Sequence, residues 1–236
     1  MQDDQLHLML AAKKAVVFDL WHTLTALEIT GASGPSSSEI LGIDRGEWDS
    51  LMEAGRADAV LGRQRDPLAI MRQCAHAIDP SVPEERIRQA ASTRMAKFRH
   101  ALLHASLANV EVLRQLRRRG KRLGLLSNAD VTEVAGWGES PLAECFDEVV
   151  FSCQVGLAKP QEEIYQLCAA RLGVKPSECI FVGDGGSEEL QGARAVGMAT
   201  VLMSGIIRQL WPEKIPPRRQ FADFEVQDLA QLLPRA

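Results

Sequence analysis

The chain has 236 residues, of which 46% are hydrophobic and 25% charged, with a formal net charge of −4 at pH 7. This composition is that of an ordinary globular protein, and the mild acidity argues against a nucleic-acid-binding surface. Since no run in the sequence approaches the roughly 20 apolar residues of a membrane helix, we also expect no membrane partner. The length fits one large domain, or one domain with an insert.

Residues 1–12 are predicted to be a frayed extension. Their start is acidic and their apolar run is short, which is not typical of a signal peptide. The chain also has five cysteines, an odd number without the spacing of a metal site. We expect them to be reduced core residues of a cytoplasmic protein. They are Cys74, Cys145, Cys153, Cys168 and Cys179.

The first strand is predicted at residues 13–19, where a run of β-branched and aromatic residues leads to Asp19. An acid just past a buried strand lies at the carboxyl edge of a sheet, where open α/β folds bind ligands. Asp19 is therefore the first candidate for chemistry. The following segment, residues 29–38, is rich in Gly, Ser and Pro and predicts a loop.

Residues 28–104 contain no strand-like run and predict a wholly helical block. Its helices are expected at residues 47–61, 66–78 and about 83–104. A helical block inserted after the first strand predicts a separate small domain.

From residue 109 onward, strand and helix patterns alternate. Strands are predicted at residues 123–126, 148–151, 179–182 and 199–203, with helices at 109–119, 162–172 and 188–195, and a last helix at 228–233 after a proline-rich loop. Such alternation predicts a parallel sheet covered by helices on both faces. The expected fold class is α/β, a Rossmann-like parallel sheet core with an inserted all-helical domain.

Polar residues follow the predicted strands or their connections at Asp19, Ser127-Asn128, Lys159-Pro160 and Asp184. Because the carboxyl ends of parallel strands share one edge, these side chains can converge. Carboxylates beside an ammonium and a hydroxyl group suit Mg²⁺ and an anionic substrate. The arrangement also leaves one carboxylate free to act as a covalent nucleophile.

In these clusters the chain resembles the haloacid dehalogenase (HAD) superfamily of aspartate-nucleophile hydrolases. Four motifs carry the resemblance, in the family's order and at the expected strand ends. They are residues 18–24 (FDLWHTL), 126–128 (LSN), 156–165 (GLAKPQEEIY) and 182–193 (VGDGGSEELQGA). The resemblance implies a core formed by residues 13–27 and 105–236, and a helical cap formed by residues 28–104.

The resemblance also implies catalytic roles. Asp19 would be the nucleophile that forms an aspartyl-phosphate, and Lys159 would steady the charge on Asp19 and on the substrate. Ser127 and Asn128 would hold the phosphoryl group, and Thr23 would support the turn that follows Asp19.

A magnesium site is implied by the same motifs. Its ligands would be Asp19, the carbonyl group of Trp21 and Asp184. Glu189 falls where the family often has a second acid, which we expect to lie near the metal without contacting it directly.

Trp21 departs from the family pattern. Family phosphatases usually carry a second aspartate two residues after the nucleophile, which protonates the leaving group and then activates water. Losing such a group costs roughly 10²–10⁴ in rate. His22 is a candidate replacement, because an unperturbed histidine titrates near neutral pH.

Three functions therefore stay open. The first is a magnesium-dependent phosphohydrolase of a small phosphorylated metabolite, and the second is a 2-haloacid dehalogenase-like hydrolase. The third is a HAD-fold binding protein with little activity. Trp21 favours the second, because family dehalogenases carry an aromatic residue there and need no leaving-group acid. Asp184 and Glu189 favour the first, because those dehalogenases generally lack the metal-binding acid.

Two further clusters have a simpler structural explanation. His100 and His104 could share a helix face as metal ligands, but a solvated face is the simpler interpretation. Three arginines of the cap could contact substrate, but the simpler expectation is that they lie at the surface. They are Arg56, Arg63 and Arg65.

Overall fold

The structure, a computed structural model, describes residues 2–54 and 56–234. Met1, Gly55, Arg235 and Ala236 lie outside the described residues, although they fall within the predicted segments 1–12, 47–61 and 105–236.

A six-stranded sheet with the order β3-β2-β1-β4-β5-β6 carries the fold. Its strands are β1 Ala15–Phe18, β2 Arg122–Ser127, β3 Glu148–Phe151, β4 Cys179–Gly183, β5 Ala199–Met203 and β6 Phe224–Val226. All neighbouring strands pair in parallel, so their carboxyl ends share one edge. The α/β fold class predicted from the sequence is confirmed, although the short strand β6 was not predicted.

Helices cover the sheet and form the block after β1. They are α1 Gln2–Ala12, α2 Ser37–Leu41, α3 Arg45–Ala54, α4 Ala57–Val60, α5 Pro67–Ile78, α6 Glu84–Leu103, α7 Leu107–Arg118, α8 Val131–Val134, α9 Ser152–Val155, α10 Glu162–Arg171, α11 Glu189–Ala195, α12 Gly205–Leu210 and α13 Ile215–Arg219. None of the helices in the described ranges is long and apolar enough to span a membrane.

The two faces of the sheet bury separate hydrophobic clusters, because side chains alternate along a strand. Val16 and Phe18 of β1 belong to one cluster, and Val17 belongs to the other. Phe181 of β4 joins Val17, and Leu123 and Leu125 of β2 join Val16 and Phe18. This double burial fixes β1 in the interior and leaves Asp19 at its carboxyl end.

The block after β1 is helical across the described residues between 28 and 104. It has its own hydrophobic cluster, which includes Trp48, Met71 and Ile87. The helix predicted at 47–61 is two helices, α3 and α4. The last two residues of the predicted loop at 29–38 belong to α2, which begins with a capping box between Ser36 and Glu39. The division into cap and core stays a prediction.

The prediction that residues 1–12 are frayed is wrong. Helix α1 docks on the core through Leu6 and Leu10, which are 3% and 5% exposed. Their spacing of four residues places both on one helix face, in the same cluster as Leu116 and Leu232. Two residues spaced by four in so short a segment gave too weak a pattern to indicate docking.

The chain's last segments also differ from the prediction. The helix expected at residues 228–233 is a short 3-10 turn, Leu229–Leu232. The proline-rich segment before it is not a simple loop, since it contains α12 and α13. Pro216 and Pro217 lie in the first turn of α13, where a missing backbone N–H group is tolerated.

Candidate active site

Asp19 follows β1 and is buried at the carboxyl edge of the sheet. Its backbone N–H group donates to the carbonyl of Val182 at 2.9 Å, which ties it to β4. Its carboxylate accepts from Lys159 Nζ on Oδ1 at 2.7 Å and from Thr23 Oγ1 on Oδ2 at 3.0 Å. Both predicted neighbours of Asp19 therefore contact its carboxylate directly.

Lys159 is buried between two carboxylates. Its ammonium nitrogen lies 2.7 Å from Asp19 Oδ1 and 2.5 Å from Glu189 Oε2. Burial alone would lower the pKa of Lys159, but the charges of Asp19 and Glu189 outweigh it and hold the pKa above its usual value. Lys159 is therefore a fixed positive charge beside Asp19.

Asn128 holds the backbone of Lys159 from both sides. Its Oδ1 accepts from the Lys159 N–H group at 2.8 Å, and its Nδ2 donates to the Lys159 carbonyl at 2.8 Å. The amide predicted to bind substrate thus contacts the lysine loop in this structure, with one N–H bond of its amide still available.

The loop after β4 brings two more acids to Asp19. Glu189 accepts on Oε1 from the Gly185 N–H group at 2.8 Å, and Asp184 accepts on Oδ1 from the Gly186 N–H group at 3.0 Å. A Cβ atom at Gly183 would lie 2.2 Å from Glu189 Oε1, so the approach of Glu189 requires glycine there. Glycine therefore helps to set the position of this acid.

Asp19, Asp184 and Glu189 form a buried acidic cluster in which one oxygen from each lies within 4.8 Å of the others. Burial raises the pKa of Asp19 and raises that of Glu189 well above its usual value, in spite of the nearby lysine. Oxygen ligands at this spacing and an excess of buried negative charge fit a hard divalent cation such as Mg²⁺. A contribution from the Trp21 carbonyl stays a prediction.

Ser127 ends β2 and is buried, and its Oγ atom has no hydrogen-bond partner among the described residues. Buried hydroxyl groups rarely lack a partner, so this one is available to a bound group. The N-terminus of the next helix, α8, is capped by Asp130 and not by Ser127 or Asn128.

Trp21 and His22 continue the turn after Asp19. The Trp21 ring packs edge-on against Phe98 of α6 at 4.9 Å, and its Nε1 atom is buried without a partner among the described residues. His22, at φ 62°, lies 3.5 Å from Glu28 and packs against Trp211. Burial alone would lower the pKa of His22, but the hydrogen bond with Glu28 and the charges of Asp184 and Asp19 raise it overall.

A cavity of about 430 Å³ opens beside this turn, between the sheet edge and the helical block. Its walls are mixed, with Trp21, Trp48 and Phe98 on the apolar side and Lys97 and Asn128 among the polar lining. Such a cavity, next to Asp19 but outside its hydrogen-bonded cluster, is where the remainder of a small substrate could lie.

A buried ion-pair network lies near this cavity and was not predicted. Arg56 and Arg94 both contact Glu133, with nitrogen–oxygen distances of 2.6 Å and 2.8 Å, and both lie near Asp130. Arg56 is therefore partly buried and paired with two acids, which corrects the default expectation of a surface position. The separation of these residues along the chain hid their pairing.

The remaining candidates have structural partners. Arg63 pairs with Asp58 and Arg65 donates to the Gly62 carbonyl, both at the surface. His100 contacts the Thr30 carbonyl and stacks on His104. Within the described ranges, the acidic cluster around Asp19 is the one group suited to a metal ion, and neither histidine belongs to it.

Sequence reasoning missed Arg218. From α13 its Nη1 atom donates to Asp184 Oδ2 at 2.5 Å and to the Asp184 carbonyl at 2.9 Å. Nothing in the proline-rich sequence around Arg218 indicates this contact, because it arises from the docking of α13 on the loop after β4.

Comparison with known proteins finds relatives in sequence and in fold. A glyceraldehyde 3-phosphate phosphatase of Methanopyrus kandleri is 32% identical over 156 residues, which are 64% of this chain and 64% of that protein. The chain thus spans slightly under two thirds of this curated relative.

Two solved structures share the fold. A dehalogenase has a TM-score of 0.67 and 23% identity, over 94% of this chain and 96% of the other. A HAD phosphatase from Thermococcus onnurineus has a TM-score of 0.59 and 24% identity, over 93% and 95%. A family model described as haloacid dehalogenase-like hydrolase matches residues 13–197, which are most of the chain. The protein is therefore a member of the haloacid dehalogenase-like hydrolase family.

Proposed function

We propose that the protein is a magnesium-dependent phosphohydrolase that acts on a small phosphorylated metabolite through an aspartyl-phosphate on Asp19. The observation that carries this proposal is the position of Asp19, with Lys159 and Thr23 on its two carboxylate oxygens. Asp184 and Glu189 each place a carboxylate oxygen within 4.8 Å of a carboxylate oxygen of Asp19.

Asp19 would act as the nucleophile. A carboxylate oxygen attacks phosphorus, the bond from phosphorus to the ester oxygen breaks, and its electron pair leaves with the alcohol oxygen. Lys159 holds Asp19 in place and supplies positive charge to the phosphoryl oxygens. The unpartnered Ser127 hydroxyl is available to donate to the phosphoryl group.

Release of the phosphate would need water. Water attacks the phosphorus of the aspartyl-phosphate, the bond to the Asp19 oxygen breaks, and the carboxylate and inorganic phosphate are regenerated. The indole of Trp21 can neither protonate the alcohol nor deprotonate this water. His22 lines the cavity and has a raised pKa, which makes it the candidate for this acid and base role.

Asp19 and Asp184 would hold the magnesium ion, with the Trp21 carbonyl as a further ligand and Glu189 outside. When bound, the ion would offset negative charge on the transferring phosphoryl group. The spacing of the carboxylate oxygens and the excess buried negative charge support this assignment.

The neighbouring cavity supports this substrate class. A volume of about 430 Å³ suits a small metabolite. The similarity to a protein named as a glyceraldehyde 3-phosphate phosphatase supports a small phosphate ester. The five free, buried cysteines support a reducing compartment such as the cytoplasm.

Hydrolytic dehalogenation is the second candidate. An aromatic residue, Trp21, lies two positions after Asp19, and the side chain of Arg218 balances the charge of Asp184 without a metal. In that reaction the Asp19 carboxylate would displace halide from carbon and form an ester that water then hydrolyses. No leaving-group acid would be needed.

One substrate panel separates these candidates. Purified protein is assayed for phosphate release from small phosphate esters, with Mg²⁺ and with a chelator, and for halide release from 2-chloropropionate. Phosphate release that requires Mg²⁺ supports the phosphohydrolase. Halide release without a metal contradicts it, and turnover of neither class, with tight binding of a phosphate analogue, indicates a binding protein.

A further inference from the structure

The side chain of Arg218 contacts the carboxylate of Asp184, one of the acids that would bind magnesium. We propose that Arg218 is a positioning residue of the metal site, an internal cation that holds Asp184 when no metal is bound and competes with Mg²⁺ for its carboxylate. This inference rests on the magnesium site of the proposed function.

The contacts of Arg218 are specific to Asp184. The Nη1 atom lies 2.5 Å from Oδ2 and 2.9 Å from the carbonyl oxygen of the same residue. The side chain of Asp184 is 9% exposed and that of Arg218 is 19% exposed, so solvent screens this pair only weakly. A guanidinium group stays charged at any ordinary pH, so it is a permanent rival for a divalent cation.

The loop after β4 is shaped around the stem of Arg218. A Cβ atom at Gly185 would lie 2.9 Å from Arg218 Cβ and 3.0 Å from its Cδ atom, so the arginine packs where only glycine leaves room. Gly185 itself has φ 82°, a left-handed conformation that favours glycine. The stem is therefore seated on the loop, rather than reaching it by chance from solvent.

The same loop is conformationally strained. Ser187 and Glu188 follow each other at φ 50° and φ 52°, in the left-handed region that non-glycine residues seldom adopt. Strain of this kind is typical of segments with two alternative arrangements at functional sites. A loop in this state can adjust when Oδ2 of Asp184 exchanges the guanidinium for a metal ion.

The charges of the site agree with such an exchange. Asp19, Asp184 and Glu189 supply three negative charges, and Lys159 and Arg218 supply two positive ones. With Arg218 in place, one negative charge of the cluster is left without a positive partner. The second contact of Arg218, to the Asp184 carbonyl, lets the arginine stay attached to the loop after it releases the carboxylate.

Competition of this kind lowers the apparent affinity for Mg²⁺. If Arg218 pairs with Asp184 in about nine molecules of ten, the apparent dissociation constant is about ten-fold higher than that of the free site. Removing the charge of Arg218 should therefore strengthen Mg²⁺ binding, whereas loss of a merely structural residue would weaken it or leave it unchanged.

The test compares wild type with Arg218→Met, which keeps an unbranched stem over Gly185 and removes the charge. Isothermal titration with MgCl₂ measures binding without substrate, and the rise of the melting temperature on adding Mg²⁺ gives an independent readout. Arg219→Met is the matched control, since Arg219 pairs with Glu225 at the surface. Arg218→Lys retains a positive charge on a shorter side chain.

The expected result is about ten-fold tighter Mg²⁺ binding by Arg218→Met. The Arg219→Met variant should match wild type, and Arg218→Lys should fall between wild type and Arg218→Met. Equal or weaker binding by a folded Arg218→Met overturns the inference, and Mg²⁺-dependent phosphate release by wild type would then leave the proposed function intact. Binding by neither protein, together with no effect of Mg²⁺ on turnover, overturns both.

Discussion

The ammonium nitrogen of Lys159 lies 2.7 Å from Oδ1 of Asp19, although the two residues are 140 positions apart. The contact exists because β1 ends beside the loop that Asn128 clamps, and because Glu189 holds the far side of the ammonium group. The charge of the proposed nucleophile is therefore set by a lysine that is itself oriented by a second acid.

Replacing Glu189 should weaken this orientation. In Glu189→Gln the Lys159 ammonium loses its second carboxylate, so kcat should fall by about 10- to 100-fold, as is typical when a residue that orients the groups of a metal site is replaced. Steady-state phosphate release at saturating Mg²⁺ measures the effect. Glu188→Gln, an exposed neighbour, is the control and should leave kcat unchanged. Equal rates for both variants would exclude the orienting role.

Asp19→Asn should abolish turnover. The neutral amide cannot attack phosphorus, so phosphate release should fall by at least about 10³-fold, and no acid-stable phosphoryl-protein should form. Quenched-flow experiments with a radioactive phosphate ester check both outcomes. Thr23→Val removes only the hydroxyl hydrogen bond to Oδ2 of Asp19 and should cost about ten-fold. Substantial activity in Asp19→Asn would show that Asp19 is not the nucleophile.

Trp21→Asp should raise phosphatase turnover. It supplies a carboxyl group two residues after Asp19, and general acid–base catalysis contributes about 10²-fold or more. Trp21→Phe keeps an aromatic ring near Phe98 without an acid and is the control. The measurement is kcat for a phosphate ester with a poor leaving group. If Trp21→Asp gains nothing over Trp21→Phe, another group, with His22 as the first candidate, already fills the role.

Acid should remove part of the stability that comes from the Arg94–Asp130 contact. Burial alone would raise the pKa of Asp130, but the charges of Arg94 and Arg56 outweigh it and hold the pKa below its usual value. A carboxyl group with a lowered pKa stabilises the fold above its unfolded pKa, and this contribution is lost as the pH falls through the folded value. The free energy of unfolding should therefore fall as the pH drops below about 4.

Asp130→Asn tests this pH dependence. At neutral pH it should cost about 3 kcal/mol, the low end for breaking a buried ion pair, because Glu133 remains. Its stability should then decline less than that of wild type below about pH 4. Urea unfolding at several pH values gives both quantities. Asp58→Asn, in an exposed pair with Arg63, should change stability by less than about 1 kcal/mol. Parallel declines for Asp130→Asn and wild type would contradict the prediction.

Much of the core could be predicted because its signals are local. The apolar runs that became β1 and β4 each lead directly to an acid, Asp19 and Asp184. Parallel pairing then brings those acids to one edge without any further information. The same reasoning placed Ser127 at the end of β2.

Contacts between distant segments could not be predicted in this way. Arg218 reaches Asp184 from a short helix hidden in a proline-rich sequence, and Arg94 meets Asp130 across the boundary between the helical block and the core. The docking of α1 depends on two leucines whose partners lie near residues 116 and 232. Each depends on tertiary packing, which overrides local sequence preference.

The position of β1 between β2 and β4 has a consequence for heating. Both backbone edges of the strand before Asp19 are hydrogen-bonded, so exposing it requires disruption of the middle of the sheet. The helices that line the cavity with Trp48 and Phe98 lie outside the sheet, so they can open locally without breaking its strand pairing. A gently warmed protein is therefore expected to keep Asp19 in place while the walls of the cavity loosen, so that its selectivity for substrates decreases before the sheet itself unfolds.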